Sequence, residues 1–190
     1  MPNAYMPRET VHAWSEQIGE DAITSQASLQ RLLKDHRRLT RFLEENAANL
    51  TQGSGAVTVY LFGVVARLFD LAGGRVKGST WAQVRDAEAR IGAVVGDLLP
   101  VDDSFAERVR KIEWRAQPHI LDEALMALFE RDRDDLGPDE VALDKQESLK
   151  VFLLLWVATE VLDSNWRPAK DYKGESEYAY VHIEPTKRGA

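Results

Sequence analysis

The hydrophobic pattern of this chain occurs twice. In residues 28–71 and again in 117–163, a moderately apolar helical stretch is followed by a polar loop and then by a stretch that is apolar on nearly every side. The two strongly apolar stretches align at a constant offset of 93, which matches Val57–Asp70 with Lys150–Asp163. A helix that is apolar all round must be surrounded by others, so we expect these two to lie against each other. The pattern predicts a pseudo-twofold, duplicated helical hairpin.

Helical periodicity covers most of the remaining chain. From Ser25 or Ser28 to Leu50, apolar residues follow one another at spacings of three and four, which predicts one long amphipathic helix. The segment 51–55 has two glycines and two hydroxyl residues, which predicts a loop. Further helices are predicted around 10–18, 81–98, 105–112 and 118–129. The predicted fold is all-α, a compact array of about six or seven helices.

The C-terminal part has a different pattern. In residues 176–184, Tyr178, Tyr180 and His182 alternate with apolar residues, which is typical of a strand. Because a lone strand lacks hydrogen-bond partners, it must pair with the Tyr5 region, pair with another subunit, or lie on the helices as an extended arm. We therefore divide the chain into an N-terminal arm and short helix (1–24), a helical core (25–165) and an extended tail (166–190).

Composition narrows the compartment and the partners. The chain has no cysteine, which excludes disulfide scaffolds, thiol nucleophiles and cysteine-based metal sites. The N-terminus does not resemble a signal peptide. The longest uninterrupted apolar run, Val151–Ala158, is far shorter than the roughly 20 residues that span a bilayer. We expect a cytoplasmic protein without a membrane segment, and heavy use of Ala, Arg, Val, Asp and Leu indicates a bacterial source.

The net charge of −7 disfavours attraction to nucleic acid. One basic cluster, residues 31–41, admits contact with nucleic acid or an acidic protein, but its acidic neighbours favour a solvated helix face. The segment Gly73–Thr80 lacks the spacing of a phosphate-binding loop, although it could receive an anion at a helix N-terminus. We expect a protein partner or self-association, and no nucleic acid.

Charged residues in the two central helices are the first candidate site. The offset makes Arg67 equivalent to Glu160, and residues equivalent by a pseudo-twofold axis can approach each other. We predict that Arg67 pairs with Glu160 or Asp163, because an uncompensated buried charge is costly. As a function, these residues and His119 would line a polar pocket for a small ligand. As structure alone, they would form an ion pair or cap helix ends.

The histidines do not predict a metal site. His36 and His119 occupy nearly equivalent positions, and a metal site would gather them with Glu44, Glu45 or Asp122, but the paired Glu-x-x-His motifs of di-iron helical proteins are missing. The single such motif, Glu9–His12, is close to the N-terminus. No nucleophile elbow is present either. We expect no metal and no cofactor.

Aromatic residues of the tail are the second candidate site. Tyr172, Tyr178 and Tyr180 could anchor a partner or simply cover the chain's own apolar surface. Without a catalytic constellation, the sequence favours a non-catalytic cytoplasmic protein that acts through protein–protein interaction, with a dimer as one form. The alternative is a small-molecule-binding protein or enzyme whose pocket lies between the central helices. A packed contact there and a broad apolar surface near the tail would favour the first function, whereas a deep enclosed cavity containing those groups would favour the alternative.

Overall fold

Helices account for most of this protein. The computed structural model describes residues 3–138 and 140–183, and over these residues the chain forms eight α-helices and one two-stranded antiparallel ribbon. The predicted all-α array is confirmed.

The elements follow one another with short connections. The helices are α1 Arg8–Glu20, α2 Ala22–Asp35, α3 Arg37–Ala47, α4 Gln52–Ala72, α5 Trp81–Leu98, α6 Phe105–Arg110, α7 Pro118–Leu125 and α8 Lys145–Asn165. A π-helical turn, Met126–Glu130, extends α7, and a 3-10 turn follows at Arg133–Asp135. The ribbon strands are β1 Arg75–Val76 and β2 Trp166–Arg167.

Helices α4 and α8 form the centre of the fold. They make the most extensive helix–helix contact of the described chain, which confirms that the two apolar stretches lie against each other. Helix α8 is enclosed by α3, α4, α5 and α7, and Phe152, Leu155 and Trp156 are fully buried. The hairpins of the sequence repeat correspond to α2–α3–α4 and α7–α8. Their origin by duplication stays a prediction.

The long helix predicted from residue 25 or 28 to residue 50 is interrupted. His36 has φ −107° and ψ 45°, so α2 ends and α3 begins on either side of it. The hydroxyl of Thr40 donates a hydrogen bond to the Leu33 carbonyl at 2.8 Å, which satisfies one carbonyl that the break leaves open. The apolar spacing continues across the break, so periodicity alone could not reveal it.

The loop predicted at 51–55 is wrong. Helix α4 begins at Gln52, because Thr51 accepts a hydrogen bond from the backbone N–H of Ser54 and so caps it. Gly53 permits close packing there, since a Cβ atom at this position would lie 2.8 Å from a methyl carbon of Val141. The glycines of this segment therefore serve contact within a helix.

The predicted strand at 176–184 is also wrong over its described residues, since no strand forms between 176 and 183. A single antiparallel bridge joins Tyr5 to Glu175, just before this segment. The rest lies as an extended arm on the helices, with Tyr178 and Tyr180 half-buried and Ala179 between them exposed. Glu184 lies outside the described residues.

Helix α4 is only partly surrounded. Near its N-terminal end Ala56, Val59 and Tyr60 are exposed, the valine to 39% and the tyrosine to 54%. Val141, 49% exposed, packs over Gly53 and extends this apolar area. We call these four exposed residues, Ala56, Val59, Tyr60 and Val141, the α4 patch.

Helix α4 is also the one helix of the described chain that is long and apolar enough to cross a membrane, with a mean hydropathy of 1.6. The core helix of a globular protein can share this length and composition.

Candidate functional site

The start of α7 is the place where both ends of the chain meet the core. Pro118 occupies the first turn of α7, where its missing N–H is no loss. The preceding residue, Gln117, has φ 42° and ψ 59°, a left-handed conformation that is uncommon for a residue other than glycine. This geometry directs the chain into α7 between the end of α8 and the N-terminal segment.

Gln117 links three segments through its amide side chain. Its Oε1 accepts a hydrogen bond from the backbone N–H of Met6 at 2.8 Å. Its Nε2 donates to Oδ1 of Asp163 at 2.7 Å and to the Ala4 carbonyl at 3.2 Å. Asn3 donates to the Asp163 backbone carbonyl at 2.8 Å. Gln117 thus fixes the N-terminal segment to the end of α8.

The carboxylate of Glu160 binds the segment before α7. It accepts hydrogen bonds from the backbone N–H of Ala116 at 2.8 Å and from Nε1 of Trp156 at 3.2 Å, and it pairs with Arg90 at 3.0 Å. Burial raises the pKa of Glu160 against the opposing effect of these donors. Burial likewise raises the pKa of Asp163. Both acids are therefore held by the fold at a cost in desolvation.

Asp122 is fully buried and is surrounded by donors and cations. Arg110 and Arg115 each approach its Oδ1 at 3.4 Å, and the Tyr178 hydroxyl donates to it at about 3 Å. Burial alone would raise the pKa of Asp122, but His119, the two arginines and Tyr178 together lower it. Burial and the nearby Asp122 carboxylate raise the pKa of Tyr178 to about 12. Tyr178 therefore stays protonated and donates its hydrogen bond at neutral pH.

The C-terminal segment contacts this region through polar and aromatic groups. Nε2 of His119 lies 3.0 Å from Oε2 of Glu175, and the Tyr178 ring lies 5.4 Å from the His119 ring. The Arg110 guanidinium lies 3.7 Å from the centre of the Tyr180 ring, a cation–π contact. Tyr172 packs edge-on against Trp166 at 4.9 Å. These contacts hold the tail on the body.

The structure places His119 against the tail, where it contacts Glu175 and the Tyr178 ring. Asp163 joins the N-terminal segment through Gln117 and Asn3, and Glu160, one turn earlier on α8, binds Ala116 and Arg90. Arg67 lies elsewhere. The roles of the predicted site residues toward a ligand or partner stay predictions. The rings of Tyr172, Tyr178 and Tyr180 contact the chain's own body, which is the covering role that the sequence also allowed.

The predicted pairing of Arg67 with Glu160 or Asp163 is wrong. Arg67 pairs with Asp70 one turn later on α4, and Asp70 also accepts from Arg31 at 3.2 Å. The Arg67 side chain is 24% exposed, whereas Glu160 and Asp163 are buried among partners from α5, α7 and the N-terminus. Equivalent positions in the two helices therefore face different surroundings.

Two central residues were missed by sequence reasoning, and a third was considered only as a metal ligand. Nothing in the sequence distinguishes Arg115, whose charge meets Asp122 only in the folded chain. Pro118 is typical of a helix start, but nothing in the sequence indicated the left-handed conformation of Gln117 before it. The sequence pointed to Asp122 only as one of the acids that could bind a metal together with the histidines.

The chemistry of this region is that of a closed polar network. Its acids are matched by donors of the chain itself. Over residues 3–138 and 140–183, no group of three acidic or histidine side chains is arranged to hold a metal ion. A cleft of about 670 Å³ opens beside the network between Tyr5, Lys111, Glu113 and Glu177. The network is suited to joining chain ends to the core.

Comparison with protein-family models, with curated proteins and with solved structures finds no match to this chain.

Proposed function

We propose that this protein acts by protein–protein interaction without catalysing a reaction, and that the α4 patch is its contact surface. The observation that carries the proposal is the exposure of Val59 and Tyr60 on the most apolar helix of the fold. A helix with apolar residues on nearly all sides needs neighbours on all sides, and α4 lacks one along its N-terminal half. An external partner supplies the missing neighbour.

A second copy of this chain is the partner that fits best. Val59 and Tyr60 lie near the middle of the stretch from Gln52 to Arg67. A twofold axis at that point would set two α4 helices antiparallel with the patches face to face. Antiparallel helix dipoles attract, which favours this arrangement.

The charges at the two ends of α4 also match in such a pair. Near the C-terminal end of α4, Arg31 and Arg67 share the single carboxylate of Asp70. Near its N-terminal end, Glu147 contacts Thr51 and pairs with Lys150, and Asp144 caps α8 close by. The first group carries a net positive charge and the second a net negative charge. An antiparallel pair brings the two groups together.

The small-molecule alternative has less support. It needs a polar pocket between α4 and α8, but Leu155, Trp156 and Ala158 of α8 are fully buried in the core cluster. Arg67, one of its proposed lining residues, points to a different set of partners. The cytoplasmic location and bacterial source expected from the sequence are part of this proposal and stay predictions.

Sedimentation equilibrium on the full chain tests the proposal. Between about 1 and 100 µM, we expect the mass to rise from 21.4 kDa toward that of a dimer. Val59→Asp should abolish the rise, because the new charge would be buried in the contact. The matched control is Val181→Asp, which alters another exposed valine, in the tail, and should leave the dimer intact.

Three outcomes would contradict the proposal. The chain could stay monomeric throughout, or both aspartate variants could dimerise as well as the unaltered protein. The unaltered chain could also float with neutral phosphatidylcholine vesicles in a manner that Val59→Asp removes. That last result would identify the patch as a lipid-binding surface instead.

A further inference from the structure

A basic cleft lies where α3 and α5 begin. It has a volume of about 580 Å³, and Lys34, Arg37, Arg38, Arg41, Ser79 and Trp81 are among its lining residues. The fold therefore joins the basic cluster of residues 31–41 to the end of the segment Gly73–Thr80. Each segment carried a weak signal for anions in the sequence, and the two are separate in the chain. Their meeting at one cleft is independent of the α4 patch.

Two helix N-termini border this cleft. Helix α3 begins at Arg37 and has no side-chain cap, and α5 begins at Trp81. In α5, Thr80 and Gln83 cap each other's backbone N–H groups, which leaves the N–H groups of Trp81 and Ala82 without a partner within the helix. Helix N-termini carry partial positive charge and attract anions.

The cations of the cleft are poorly compensated by the chain itself. Among the described residues, Lys34, Arg37 and Arg38 form no ion pair, and Arg41 pairs with Glu45 at 2.6 Å. Asp35 is the acidic residue in the lining. Arg37 and Arg41 stand four residues apart on α3, where like charges on a helix surface repel. A bound anion would relieve this repulsion.

Ser79 provides a buried polar group at the same place. The residue is 4% exposed, and its hydroxyl has no hydrogen-bond partner in the described part of the chain. Nη1 of Arg38 donates to the Ser79 carbonyl at 2.9 Å, which holds the start of α5 against α3. A buried hydroxyl without a partner is unusual in a folded protein, and an anion bound at the start of α5 would supply one for Ser79.

We propose that this cleft binds a phosphorylated small molecule, with the phosphate between Arg37, Arg38 and the N-terminus of α5. Arginine side chains and helix N-terminal N–H groups together form the usual recognition set for phosphate. The remaining volume falls in the range of small-molecule pockets and accommodates more than a free ion. The half-buried Trp81 ring offers a flat surface to the rest of the ligand.

A small ligand fits better than a nucleic acid. The basic residues are confined to one cleft, whereas a strand needs a positive groove along its backbone with several stacking rings. The chain as a whole carries a net charge of −7, which repels a polyanion outside the cleft.

Amide NMR titrations of the full chain test this assignment. The probes are inorganic phosphate, inorganic pyrophosphate and adenosine 5′-monophosphate, which separate a free anion from a phosphate on a larger molecule. We expect saturable shifts in residues 37–41 and 79–83, with the mononucleotide bound more tightly than phosphate. Arg37→Gln/Arg38→Gln should weaken mononucleotide binding about tenfold or more. Ser79→Ala should weaken it several-fold, because the ligand loses the hydrogen bond of the Ser79 hydroxyl. Helix α5 should stay intact, since Thr80 still caps it.

The matched control is Arg75→Gln/Arg85→Gln, which removes the same charge from exposed positions outside the cleft lining. It should change the affinity by less than about twofold. An equal loss in both double variants would contradict the assignment, as would the absence of saturable shifts. Tighter binding of a single-stranded 20-nucleotide DNA than of the mononucleotide, measured by anisotropy, would replace the small ligand with nucleic acid.

Discussion

Helices α4 and α8 have the same hydrophobic pattern but different surroundings. Helix α8 is enclosed from Val151 to Asp163, and the polar network at the start of α7 covers its C-terminal end. Helix α4 is enclosed on the side that faces α8 and is exposed at Ala56, Val59 and Tyr60. Two helices with the same apolar pattern can therefore differ in how much of their surface the chain itself covers.

The largest expected difference concerns aromatic residues on the two helices. Trp156→Ala in α8 should lower the free energy of unfolding by about 4 kcal/mol, because it leaves a cavity and removes a donor to Glu160. Tyr60→Ala in α4 should cost about 1 kcal/mol or less in the monomer. Urea unfolding at low protein concentration measures both. Equal losses would remove the distinction between the two helices.

The polar ends of the helices should differ by a somewhat smaller amount. Gln117→Ala should lower the free energy of unfolding by about 3 kcal/mol, because the buried Asp163 and the Met6 N–H lose hydrogen-bond partners. Arg67→Ala breaks a solvent-exposed pair on α4 and should cost about 0.5 kcal/mol. Thermal unfolding of the two variants compares them. If Gln117→Ala were as stable as Arg67→Ala, the network would not hold the chain ends.

A pair of valines sharpens the comparison at constant chemistry. Val161→Ala on α8 should cost about 2 kcal/mol, because that side chain is buried. Val59→Ala on α4 should change the free energy of unfolding by less than about 0.5 kcal/mol in dilute solution. Chemical denaturation at increasing protein concentration adds a further check. If the free energy of unfolding of the unaltered chain exceeds that of Val59→Ala by an amount that grows with concentration, the second copy stabilises the unaltered chain through Val59.

The pH dependence should show the smallest effect. Burial raises the pKa of Glu160 and Asp163 above their ordinary values of 4.5 and 3.8. The folded state therefore binds these protons more tightly than the unfolded state. Their contribution is fully present below the ordinary values and is lost as the pH rises through the folded-state values.

The double variant Glu160→Gln/Asp163→Asn should accordingly lose part of the decline in stability on going from pH 4 to pH 7. Val59→Ala, which removes no ionisable group, is the control and should keep the decline. A steeper decline in the double variant would contradict this expectation, since the two acids would then stabilise the folded state as the pH rises.

The sequence predicted helices well where local signals and packing agree. For α5, the apolar face from Trp81 to Leu98 marked both ends, and in the structure a capping box of Thr80 with Gln83 begins the helix. The boundary at His36 was missed because the apolar spacing continues through it. The start of α4 was missed because two glycines outweighed the cap at Thr51, and only the contact with Val141 explains Gly53.

The sequence predicted which residues belong to the candidate site better than it predicted which partners they have. Glu160, Asp163 and His119 were chosen because charges in apolar helices need partners. Which partners they have depends on how α5, α7 and the N-terminus meet, and these contacts join residues far apart in the chain. The basic cleft has the same origin, since Arg38 and Ser79 become neighbours only when α3 and α5 pack together.

We propose that α4 lacks one neighbouring helix and that a second copy of the chain supplies it. The chain has no cysteine, so Val59→Cys creates a single labelling site for a nitroxide. Dipolar spin–spin distances should then place the labels of two copies within about 20 Å of each other, since packed helices lie ~8–10 Å apart. The same label at Arg85→Cys should lie much farther from its copy. Absence of a dipolar coupling at position 59, even at a protein concentration of about 100 µM, would contradict the claim.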